Sequence, residues 1–100
     1  MDPSTDAVQS AGEPAPGFSA LGDPARLAIL ETLCDGGRCV CELVPELGMG
    51  QTLLSYHLRI LREAGLVRGT RRGRRIEYTI RTASLEALMK NLERLAGEGA

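Results

Sequence analysis

Cys34, Cys39 and Cys41 are the chain's three cysteines, and they lie close together in the sequence. An odd number of thiols, after an N-terminus with neither a basic start nor an apolar stretch, does not read as a disulfide framework. The expectation is reduced thiols open to metal or redox chemistry, in a cytoplasmic protein. A second group follows. Gln51, Thr52, Ser55, Tyr56 and Arg59 carry hydrogen-bonding side chains, and Arg71, Arg72, Arg74 and Arg75 surround Gly73. Gln and Arg pair bidentately with adenine and guanine edges, and long cationic side chains reach phosphates or a minor groove.

Apolar spacing gives the elements that hold these residues. Residues 1–17 are rich in Pro, Ser, Ala and Gly without periodicity, which predicts a mobile tail. A short helix is expected at Phe18 to Leu21. Asp23-Pro24 then places a capping carboxylate before a proline at the first helical position. The helix it opens runs to about Asp35, with Leu27, Leu30, Leu33 and Cys34 on its buried face, and Gly36-Gly37 stops it. A third segment, Cys39 to Leu47, contains Pro45 and so cannot make the backbone bond to the carbonyl of Cys41; it should be short or distorted. Gly48-Met49-Gly50 turns the chain into a helix from Gln51 to Ala64, with Leu54, Leu58 and Leu61 inward. Two helices joined by a glycine turn make a helix-turn-helix candidate.

Beyond Gly65 the pattern changes from helix to hairpin. Leu66 to Arg68 leads into a strand, Thr70 to Arg75 makes a basic turn, and Ile76 to Ile80 alternates as the returning strand. Leu85, Leu88, Met89, Leu92, Leu95 and Ala96 form a helical seam fit to pack on a second subunit. The predicted fold is mainly α with a small β-hairpin wing, a dimeric winged helix-turn-helix domain over residues 18–97. His57 falls nearer the packed side of its helix; it reads as a structural histidine bonded to a neighbour, against a base contact or a metal ligand.

Charge agrees with that division. Residues 1–50 hold two basic and eight acidic side chains, whereas residues 51–82 hold eight basic and two acidic. The net charge of −1 therefore hides a local phosphate-facing surface. At 100 residues, 43% hydrophobic and 25% charged, the chain is one globular domain with no apolar run long enough for a membrane span. No nucleophile, base and orienting group form a recognisable set, and no glycine-rich phosphate loop follows a strand, so an enzyme is not expected.

The segments LGDPARLAIL from Leu21, CVCEL from Cys39, LLSYHLRILREAGLV from Leu53 and RRGRRIEYTI from Arg71 resemble the ArsR/SmtB family of winged-helix repressors. The resemblance covers about Phe18 to Leu95. It implies a homodimer built from the first and last helices, bound to double-stranded DNA at an inverted-repeat operator and released by an inducer. Cys39-Val40-Cys41-Glu42-Leu43 is similar to the segment with which arsenic, antimony and cadmium or lead sensors of this family bind their ions. The third cysteine of the arsenic pattern is absent, Val44 standing in its place. Cys34 is either its replacement, folded back by Gly36-Gly37, or a small buried hydrophobe.

Thiolates suit a thiophilic ion, and the last helix has no histidine for the zinc site of other members. The expected ligands are Cys39 and Cys41 with Cys34, the expected inducer As(III) or a related ion, and no permanent cofactor. Residues i and i+2 of an intact helix point about 200° apart, so capture by Cys39 and Cys41 should unwind this turn and tilt the recognition helix. Two alternatives stand beside this reading. The same fold can sense redox or reactive sulfur through Cys39 and Cys41, or the chain is a small metal-binding thiol protein that does not bind DNA.

Overall fold

The computed structural model describes residues 14–99. In chain order they form α1 (Pro14–Leu21), α2 (Pro24–Leu33), α3 (Val40–Leu47), α4 (Gln51–Glu63), β1 (Val67–Arg72), β2 (Arg75–Ile80) and α5 (Thr82–Gly99). This is the expected winged helix-turn-helix arrangement, five helices with one antiparallel hairpin.

The first helix begins earlier than the sequence suggests. Residues 1–13 of the expected tail lie outside the described residues, but residues 14–17 form the first turn of α1. Pro14 and Pro16 fit there because N–H groups in a first turn have no intrahelical acceptor. Gly17 is buried against α5, where an added Cβ would stand 3.0 Å from Leu88 Cδ1.

Asp23 caps α2 as its Asp-Pro pair predicts. Its backbone is extended, and Oδ1 accepts from the amides of Ala25 at 2.8 Å and Arg26 at 3.4 Å. Desolvation opposes ionisation of this carboxyl. The two amides and the Arg26 charge outweigh it and hold the pKa below the ordinary aspartate value. The buried face of α2 is Ile29, Leu30 and Leu33, whereas Leu27 and Cys34 are exposed. Seven residues apart, those two share one side of the helix, and that side faces out.

One core joins these elements: Ala20 of α1, Ile29, Leu30 and Leu33 of α2, Leu43 of α3, Leu54, Leu58 and Leu61 of α4, Leu66 and Val67 at the hairpin, and Leu88 of α5. The helix-turn-helix is α3 and α4. Helix α3 is short and accommodates Pro45, and Gly48 ends it in the left-handed region at φ 63°. The hairpin is tighter than the broad basic turn expected from Thr70 to Arg75. Arg72 pairs with Arg75 across a turn of only Gly73 and Arg74, which Gly73 permits with φ 65°.

The predicted seam of α5 divides by facing. Leu88 is buried and Leu85 packs on the core, while Met89, Leu92 and Leu95 are each more than half exposed.

Candidate nucleic-acid interface

Helix α4 presents two faces of opposite character. Leu54, His57, Leu58 and Leu61 are buried; Gln51, Thr52, Ser55, Tyr56 and Arg59 are all exposed. The Arg59 guanidinium lies 6.0 Å from the Tyr56 ring centroid, and its Nε is 3.7 Å from Glu63 Oε1. On the hairpin, Arg71, Arg72, Arg74 and Arg75 are exposed, and Arg72 Nε lies 3.6 Å from Glu77 Oε1. Exposed pairs of this kind contribute at most about 1 kcal/mol, so they hold these guanidinium groups only weakly.

Two sets of contacts set the angle of this surface, and neither was visible in the spacing. The first centres on Arg26, a nearly enclosed guanidinium in α2. Its Nε donates to the Ala20 carbonyl at 2.6 Å, and Nη1 lies 3.3 Å from His57 Nδ1. Because arginine only donates, Nδ1 is the acceptor of this contact. His57 is thus a structural residue bonded to a neighbour. Through it α4 is tied to the end of α1 and the start of α2.

The second set fixes the wing. Arg38 and Tyr78 exchange backbone hydrogen bonds of 3.1 and 2.8 Å, so the residue before Cys39 adds a rung to β2. Glu77 folds over Gly37, where a Cβ would meet its side chain at 2.7 Å. A larger residue there would have to push the Glu77 side chain aside.

The cysteines lie between these two supports. Cys39 is the N-cap of α3, in extended conformation (φ −87°, ψ 167°), and its amide donates to Glu42 Oε1 at 3.0 Å. The Cys-x-x-Glu spacing is that of a capping box with cysteine at the serine position, a signal available in the sequence. Cys39 therefore stands outside the helix. It is joined to Cys41 in a disulfide, with Cα atoms 5.2 Å apart. The expected unwinding is not required, because extended backbone at the N-cap already turns the Cys39 sulfur onto that of Cys41.

Cys34 occupies different surroundings. It is exposed, not a buried hydrophobe, and lines a cavity with Leu33, Thr79, Ile80 and Leu85. The pair instead lines a cavity of about 350 Å³ with Gln51, Arg74, Arg75 and Tyr78. Among the described residues, no three His, Cys, Asp or Glu side chains gather to hold a metal ion, so Cys34 is not brought to Cys39 and Cys41. No described helix is long and apolar enough to cross a membrane.

The model of the arsR family of bacterial regulatory proteins matches residues 23–68. The chain is 39% identical to the transcriptional repressor SmtB of Mycobacterium tuberculosis, over 98% of this chain and 70% of that one. It is 36% identical to the arsenical resistance operon repressor of Bacillus subtilis, over 82% and 83% of the two chains. The homodimeric winged helix-turn-helix domain of Mb0332 from Mycobacterium bovis superposes with a TM-score of 0.73 at 29% identity, over 99% and 90%. The relatives are regulators, not enzymes, and this chain belongs with them to the arsR family of winged helix-turn-helix transcriptional regulators.

Proposed function

We propose that the chain is a cytoplasmic homodimeric repressor released from an inverted-repeat operator when a thiophilic ion, As(III) foremost, binds Cys39 and Cys41. Gln51, Thr52, Ser55, Tyr56 and Arg59 read base edges in the major groove, and Arg71, Arg72, Arg74 and Arg75 hold phosphates or the flanking minor groove. The observation that carries the reading is the single cavity shared by Cys39, Cys41, Gln51, Arg74 and Arg75. Chemistry at the thiols then acts on both DNA-facing elements at once. The dimer forms through α1 and α5, where Met89, Leu92 and Leu95 are exposed; the similar Mb0332 domain is a homodimer.

The disulfide favours a second reading, in which the same pair responds to oxidants. Fluorescence anisotropy of the reduced protein on a duplex from upstream of its own gene separates the two. Release by arsenite alone supports ion sensing; release by peroxide alone transfers the pair to redox sensing. No duplex binding at all leaves a thiol protein without a DNA function.

A further inference from the structure

Two thiols do not complete the coordination of a trivalent thiophile. Capture of As(OH)₃ by the reduced pair forms two S–As bonds and breaks two As–O bonds; two waters leave with the thiol protons, and one As–O group remains. A third cysteine would replace that oxygen. Cys34 lines a separate cavity, so it is not at hand. The polar side chains that do share the cavity of Cys39 and Cys41 are Gln51, Arg74, Arg75 and Tyr78. Gln51 and both arginines are exposed, and among the described residues no hydrogen bond or ion pair engages the side chain of Arg74 or Arg75. The adjoining carboxylates are already engaged, Glu77 by Arg72 and Glu42 by the Cys39 amide.

Resting on the reading of Cys39 and Cys41 as the inducer site, we infer that Arg74 and Arg75 belong to the ligand site as well as to the wing. They donate to an oxygen retained by the thiol-bound centre. The site takes thiophiles that keep an oxygen or carry an anionic group, and its cationic wall disfavours a bare divalent cation such as Cd(II). The same guanidinium groups face DNA phosphates in the repressing state, so ligand and duplex compete for them within one protomer.

The test uses the full reduced chain and its Arg74→Gln, Arg75→Gln double variant, with circular dichroism to confirm that these exposed turn positions leave the fold intact. Arsenite and Cd(II) are each titrated as protectants of Cys41 against alkylation. The variant is expected to lose arsenite affinity by about tenfold while its Cd(II) affinity holds or rises. A second arm compares iodoacetate with iodoacetamide at Cys41. The wall should favour the anionic reagent by about tenfold relative to Cys34, and the variant should lose that preference. Saturating duplex should shield Cys41 and leave Cys34 reactive.

Equal changes for arsenite and Cd(II), or an unchanged preference for iodoacetate, overturn the inference. So does full reactivity of Cys41 on protein that anisotropy shows to be duplex-bound. If the wild-type chain binds neither ion, the ion-sensing reading fails, and the two alkylating reagents still decide whether the wall accepts anions.

Discussion

Cys39 and Cys41 differ from Cys34 by position in the fold, although the three are near neighbours in the chain. Extended backbone at the N-cap brings the first two together, and the exposed end of α2 holds the third apart. A Cys39→Ser, Cys41→Ser variant should therefore bind duplex like the wild type and no longer release it with inducer; anisotropy titrations measure both. Release that persists in this variant overturns the assignment. Cys34→Ser should keep the full response. Asp23 acts through its ionised form. Its folded pKa is lowered, so its contribution to stability is present above the ordinary carboxylate range and disappears as pH falls through the folded value. Asp23→Ala should melt a few degrees lower near neutrality, and the gap from wild type should close in acid.

At the scale of elements, the proposed function divides recognition between α4 and the hairpin, and their failures should look different. Neutralising Arg71, Arg72, Arg74 and Arg75 with glutamine should weaken binding to all duplexes alike. It should also flatten the plot of log affinity against log salt by about 0.9 for each phosphate that is no longer neutralised. Replacing Gln51 or Arg59 with alanine should instead cost about 1–3 kcal/mol on the operator and relax base preference there. The pose of α4 depends on Arg26. Arg26→Met leaves His57 Nδ1 and the Ala20 carbonyl without their donor, and urea unfolding should report a loss of about 1–3 kcal/mol.

For the whole molecule, Met89, Leu92 and Leu95 form an exposed apolar stripe, and in the proposed dimer a second copy covers it by symmetry. Light scattering should give twice the chain mass of 10.7 kDa. Leu92→Glu, changing no core residue, should shift the mass toward the monomer and weaken operator binding with it. A wild-type monomer at micromolar concentration would count against the dimeric repressor.

Much of this architecture is legible in the chain because it rests on local rules. Asp23-Pro24 caps a helix by its own side chain and fixed φ. Leu54, Leu58 and Leu61 recur at helical spacing, and Gly48 and Gly73 supply backbone that other residues resist. The candidate reading face follows as the complement of the buried one. Tertiary structure decided what depends on distance in space. It alone set the start of α1 against Leu88, the outward turn of Leu27 and Cys34, and the anchoring of His57 by Arg26. It also joined Arg38 to the wing and placed the cysteine pair in one cavity with Gln51 and Arg75. Periodicity reports which side of an element is apolar; which neighbour fills that side is settled only when the elements pack.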